Sequence, residues 1–404
     1  MHNIRKMTED LYWVGVNDKR LHRFEGLYPI EDGVSYNAYL LLDDKTVLFD
    51  TVDWSVARQF MENIDFVLDG RPLDYLVVNH MEPDHAAAMS EILLRYPETQ
   101  IISTKKARTF MRQFGIDTED RFIEVQEGDV YGFGDHEVTF IESPMVHWPE
   151  AMMTYDITTR ALFSADAFGS FRSLDGALFA DEVRFKEEWA DEARRYYANI
   201  VGKYGTQVMN VLKKASAVEL SMICPLHGPV WREDLGWIIG KYIHWAAYEP
   251  EETGILIVYA SMYGNTEQAA QILATRLVEK GMTNIRVYDV AETHSSYLIS
   301  EAFKYSHMVF LSVTHDQNVL LPMQTLLDDM KRLNLQKRTA AVVENGTWAP
   351  AAGQGMVKAL ESMKQMTILN ETVSIRSSVS EANRGELDAL AEAIVQSAGP
   401  AKQG

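Results

Sequence analysis

The chain has 404 residues, 47% hydrophobic and 24% charged, which suits two or three domains with packed cores. Its formal net charge of −20 argues against non-specific nucleic-acid binding, which runs on basic patches, and leaves solubility or steering of a partner as its uses. The single cysteine, Cys224, rules out an intrachain disulfide and any four-thiolate iron centre, and fits a reducing, cytoplasmic setting.

The opening stretch MHNIRKMTEDLYW lacks the apolar segment of a secretory signal, and no apolar run reaches the roughly 18 residues a membrane span needs. Two apolar runs around Asp43 and Asp44 predict a hairpin over residues 35–51. Further strands are expected at 73–80, 99–105, 136–143 and 160–166. Helical apolar spacing predicts one helix over 85–97, stopped by Pro97, and another over 187–205. The segment AAYEPEETG (246–254) is short, acidic and broken by Pro250 and Gly254, so the expected domains are 1–250 and 251–404. After it, apolar strands at 254–261, 284–290, 307–313 and 338–345 alternate with helices. That alternation predicts an α/β fold with a doubly wound parallel sheet.

The first domain carries a dense polar stretch, VVNHMEPDHAAAMS, straight after an apolar strand. It sets His80, Glu82, Asp84 and His85 where unbound polar groups would be costly to place. His147, Asp166 and His227 each follow another predicted strand, so distant loops converge on one sheet edge. Alone, Asp84 reads as a helix cap, and a lone His147 or His227 as a structural histidine. Together and in this order they read as metal ligands. Their spacing resembles the metallo-β-lactamase superfamily, with Glu82 standing where that signature has a histidine. The extra carboxylate makes the set harder and better suited to iron or manganese than to zinc. The resemblance implies two metals bridged by a carboxylate, expected to be Asp166. His85 either ligates the second metal or turns away from it.

In the second domain, SMYGNT runs from a strand into a helix start. Ser261, Thr266 and the amides around Met262, Tyr263, Gly264 and Asn265 are placed to wrap a phosphate, helped by the helix dipole. The loop matches neither a P-loop nor Gly-x-Gly-x-x-Gly, and looks like the phosphate loop of flavodoxins, which bind FMN. Flavodoxins usually carry threonine where Tyr263 stands. Two later strand-end loops supply Thr314, His315, Gln317 and Asn318, then Asn345, Gly346, Thr347 and Trp348, to line a flat ring system. Trp348 is the expected stacking partner; the bland alternative makes it core.

A lactamase-like αββα sandwich carrying His-x-Glu-x-Asp-His, joined to a flavodoxin-like domain, resembles the flavodiiron proteins. The resemblance covers nearly the whole chain. It implies a non-haem di-iron site fed by FMN, reducing dioxygen to water, nitric oxide to nitrous oxide, or both. The iron pair and the flavin would each store two electrons. It also implies a head-to-tail homodimer, or a dimer of such dimers, and a separate electron donor such as rubredoxin or a reductase. By the same resemblance Phe24 and Tyr197 wall the gas pocket. Trp148, next to His147, is a further wall candidate, with plain core packing the alternative for all three. Two rival functions stand beside this one. They are a binuclear metallohydrolase with an attached flavin domain and an electron-transfer flavoprotein whose lactamase-like half is scaffold.

Overall fold

The computed structural model describes residues 2–399 apart from 117, 119, 370 and 371. It divides into two compact units, Met1–Ala246 and Ala247–Gly404.

The first unit is built on two sheets. One takes seven strands in the order Arg5–Lys6, Leu11–Trp13, Tyr39–Leu42, Thr46–Phe49, Tyr75–Val77, Gln100–Ser103 and Phe122–Glu124. The other takes five, Val130–Gly132, Glu137–Glu142, Met152–Asp156, Ala161–Phe163 and Met222–Cys224. The hairpin predicted around Asp43 and Asp44 forms, with Tyr39 opposite Phe49 in antiparallel register. The sheets meet through their apolar faces: Phe49 stacks on Phe163 at 3.9 Å between ring centres, and both are buried. The strands Tyr75–Val77, Glu137–Glu142, Ala161–Phe163 and Met222–Cys224 each release a loop that holds candidate ligands.

Two helix expectations need correction. Residues 85–97 are not one helix but a turn, Pro83–Ala86, and a second helix, Met89–Arg95. The break comes where the Ala88 amide leaves the helical pattern to donate to the Val52 carbonyl. Asp84 does not cap this turn: Glu82 stands at the cap position and makes no capping hydrogen bond. The segment 187–205 likewise splits, into Ala190–Tyr196, a π-helical turn Tyr197–Val201, and a 3-10 turn Gly202–Tyr204. Wide turns of this kind recur at functional sites because they re-aim side chains.

The second unit has a parallel sheet in the order Ile285–Asp289, Glu252–Ala260, Tyr305–His315, Thr339–Asn345 and Thr367–Ile368. The chain starts in the middle and winds outward both ways, so the carboxyl ends of Glu252–Ala260 and Tyr305–His315 flank a switch point where ligands bind. Its central strands are buried on both faces and read as largely apolar runs, as in Ile255–Ala260.

Candidate metal centre and flavin cleft

The strand-end loops bring all seven expected ligands together in two groups. His80, Glu82, His147 and Asp166 offer donor atoms within 4.8 Å of one another, and so do Asp84, His85 and His227. Asp166 joins the groups. Its Oδ2 lies 3.1 Å from His80 Nε2 and 3.0 Å from His147 Nε2. Its Oδ1 lies 3.2 Å from His85 Nε2 and 3.6 Å from His227 Nε2. Glu82 reaches His147 Nε2 at 2.9 Å and His80 Nε2 at 3.3 Å, while Asp84 reaches His85 and His227 at 3.3 and 3.2 Å. His85 is turned into the site, so the swung-away alternative is not the one adopted.

The electrostatics call for cations at these positions. Burial opposes charge on His80, yet the Asp166 carboxylate holds its pKa well above the usual value. Burial likewise opposes charge on His147, which Asp166 and Glu82 nonetheless hold up at about 9. Against its own burial, Asp166 is held far below the carboxylate range by His85 and His80. Both oxygens of Asp84 and Oδ1 of Asp166 are buried without a hydrogen-bond partner among the described residues. Buried acceptors of this kind are costly unless something binds them. Four imidazoles and three carboxylates, with their donor atoms turned inward, fit a pair of divalent metals. The mixed oxygen and nitrogen donor set suits iron.

Outer partners fix the candidate ligands, and the sequence reading missed them. The buried Glu150 Oε1 lies 2.9 Å from His80 Nδ1 and accepts from the Met81 amide, which sets the ring so that Nε2 faces inward. His227 Nδ1 donates to the Ser35 carbonyl at 2.7 Å. Asp50, buried, accepts from the Asn79 amide, its side chain and the His80 amide, and so fastens the start of the ligand loop. Glu25 stands beside Glu82: it is exposed at the surface, yet crowding around its carboxyl and the neighbouring Glu82 carboxylate raise its pKa.

Of the expected wall residues, Phe24 packs edge-on against His227 at 5.2 Å and Trp148 against His80 at 5.4 Å. Tyr197 is placed elsewhere, on Tyr242 and Trp245 at 5.0 and 5.2 Å. The tyrosine beside the ligands is its neighbour Tyr196, 5.5 Å from His227, whose buried hydroxyl has no hydrogen-bond partner among the described residues. One step along a helix turns a side chain by about 100°, so a one-residue offset moves the phenol from the site to the core.

In the second unit a cleft of about 520 Å³ lies at the strand ends, within the size range of cofactor sites. Ser261, Met262, Tyr263, Asn265, Thr266, Thr314, His315, Gln317, Asn345, Gly346, Thr347 and Trp348 all line it. Gly264 does not line it but shapes it, taking φ +85° to cap the helix Asn265–Glu279 while its amide donates to Ser261 Oγ. Asn318 is a correction: it pairs back with His315, and its side chain accepts from the Val319 amide. Val313, Asp316, Ala349 and Ser377 line the cleft unannounced. Ser377 is there because Asn345 accepts from its amide and donates to its carbonyl, a link across 32 positions. Trp348 is 84% exposed, so it is not core and its ring is free to cover a flat ligand.

Residues 34–228 match the family model of ODP family beta lactamases, and residues 257–389 match the flavodoxin model. The chain is 35% identical to the anaerobic nitric oxide reductase flavorubredoxin of Aeromonas hydrophila subsp. hydrophila, over 86% of this chain and 70% of the relative. The chain belongs to the flavodiiron protein family. The relative of the same description from Pectobacterium atrosepticum is 34% identical over 85% of this chain and 68% of its own length. Among solved structures, the rubredoxin oxygen:oxidoreductase of Desulfovibrio gigas superposes with a TM-score of 0.91 and 26% identity, covering 98% of both chains. The flavodiiron protein of Giardia intestinalis has the same fold, with a TM-score of 0.91, 24% identity and 99% of each chain covered. This flavodiiron protein is therefore an oxidoreductase, and its cofactors are FMN and a non-haem di-iron pair. Among the described residues, no helix is long and apolar enough to cross a membrane.

Proposed function

We propose that this flavodiiron protein reduces nitric oxide to nitrous oxide, with dioxygen reduction to water as the second reading. The observation that carries it is Asp166, whose two oxygens each face a different pair of imidazoles and so tie two metal positions into one centre. Relatives about a third identical over most of the chain are named nitric oxide reductases, which supports the first gas. The likeness to the Desulfovibrio gigas oxygen oxidoreductase supports the second.

His80, Glu82, His147 and Asp166 would hold one iron, and Asp84, His85, His227 and Asp166 the other. When bound, the iron pair would supply two electrons and a site for the gas, and FMN two electrons more. The chain holds the ligands in place through Glu150, Ser35 and Asp50, so that the donor atoms are set before gas arrives. Phe24 and Trp148 keep bulk water from the imidazoles. In the flavin cleft, Thr266, Asn265 and Ser261 would hold the phosphate, and Thr347 and Trp348 the ring. Electrons come from a separate donor, a rubredoxin or a reductase, in the cytoplasm. A head-to-tail homodimer would set the flavin of one chain beside the iron of the other.

Anaerobic turnover of the reduced holoenzyme against each gas tests the reading. One nitrous oxide per two nitric oxide molecules is expected, with roughly two irons per chain. Zinc in place of iron, with neither gas consumed, would sink it in favour of a hydrolase. For the dimer, one chain carrying His147→Ala and the other a Thr266 change that blocks FMN should keep one productive pair. A double mutant paired with wild type should keep none. The reverse pattern would show transfer within one chain.

A further inference from the structure

Next to the loops that carry His147 and Asp166, the helix Gly205–Ala215 leaves a gap against Met153 and Leu162 of the strands Met152–Asp156 and Ala161–Phe163. The gap is walled by Val146, Met153, Leu162, Ala167, Phe168 and Tyr242 on one side. The helix closes the other side with Val208, Val211, Leu212 and Ala215. All of these are buried except the half-buried Leu212. Its room for the centre of a water-sized sphere is about 10 Å³, enough for one molecule of that size.

Water finds too few partners there. A water needs two to four polar partners, and the one hydroxyl in the wall, that of Tyr242, which accepts from the Phe168 amide at 2.5 Å, could offer it at most a single hydrogen bond. Apolar cavities stay dry and take up apolar guests such as xenon. Dioxygen and nitric oxide are small, uncharged and weakly hydrated, so they share that preference. The position is also specific. Val146 precedes the ligand His147 and Ala167 follows the ligand Asp166, so the wall is made from the same two loops that carry ligands.

We propose that this cavity is a holding site for one molecule of diatomic gas, walled in part by the loops that carry His147 and Asp166. The proposal rests on the gas-reductase reading given above. A held molecule raises the local supply of gas next to a centre that consumes nitric oxide two at a time.

Xenon is the probe. Holoenzyme crystals pressurised with xenon should show the atom among Val146, Leu162, Val211 and Tyr242. Val211→Phe should fill the cavity from the helix and abolish xenon uptake. The milder Ala215→Leu should reduce it, and serves where the larger ring perturbs folding. Neither residue touches a ligand. With iron and FMN content unchanged, both variants should raise KM for gas, Val211→Phe by about five-fold, while kcat stays near wild type, a loss of gas supply without loss of chemistry. Wild-type protein that turns over gas yet takes no xenon in the cavity overturns the inference alone. So does a filled variant whose KM is unchanged. A wild-type enzyme that reduces neither gas overturns the functional reading, and the inference with it.

Discussion

Nε2 of His85 stands 3.0 Å from Nε2 of His227, and neither ring turns away from the other. Two imidazoles meet in this way when one carries a proton or both face a cation. Asp84 and Asp166 lie close by to balance that charge. The pair is thereby placed to hold the second metal of the proposed centre. His85→Asn should lower iron from about two to about one per chain, because the donors at His80, Glu82 and His147 are untouched. Metal analysis of the purified variant checks this; full iron content would remove His85 from the ligand set.

Asp166→Asn should do more damage than His85→Asn, since its two oxygens serve both groups. The amide cannot offset the repulsion of two cations as the carboxylate does. The expected result is loss of one metal or both, together with the activity. Retention of both metals would show that Asp166 is not the bridge.

Glu82→His tests the choice of metal. Glu82 supplies an anionic oxygen between His80 and His147. Replacing it with imidazole softens the set toward zinc. Protein grown with both metals present should gain zinc, lose iron and lose gas reduction. An iron-loaded, fully active variant would contradict the argument from ligand hardness.

His136 provides a stability test remote from the metals. Its Nδ1 lies 2.7 Å from Asp156 and its Nε2 2.9 Å from Asp10. The hydrogen bond to Asp156, helped by Asp10 and opposed by burial, raises its pKa to about 9. A pKa raised by folding gives stability that is full below the unfolded value of about 6.5 and is lost as pH climbs through the folded value. Thermal unfolding should thus show Tm falling between pH 6.5 and 9. His136→Gln should cost about 1–2 kcal/mol at pH 6 and flatten that slope. An unchanged slope would mean the imidazolium contributes nothing.

Trp348→Ala should weaken FMN binding by about ten-fold, the loss of one aromatic face of stacking. The exposed indole is not part of the packed core, so Tm of the flavin-free protein should hold. Flavin fluorescence titration measures the first effect. Unchanged affinity would place the flavin ring elsewhere in the cleft.

The features legible in the sequence are the ones carried by short-range pattern. An apolar strand followed at once by a metal-type side chain is written in consecutive residues, which is why His80, Glu82, Asp84, His85, His147, Asp166 and His227 could be singled out as candidates, and the fold brings them together. The phosphate loop was legible for the same reason, as strand, turn and helix start lie together in SMYGNT. What tertiary structure alone decided lies across long separations or in helical phase. Glu150 reaches His80 across 70 positions, and the Ser35 carbonyl reaches His227 across 192. Nothing in the local pattern of either pair announces the other. Tyr196 rather than Tyr197 faces the candidate ligands because one step along the helix turns the side chain by about 100°, and only the packed structure fixes that phase. Glu25, in the turn between the paired strands Arg23–Phe24 and Tyr28–Pro29, meets Glu82 across more than fifty positions. Local pattern follows from backbone geometry and solvent transfer, which act within a few residues; the partners of a buried polar group depend on which distant loops the packed sheets bring to the same edge.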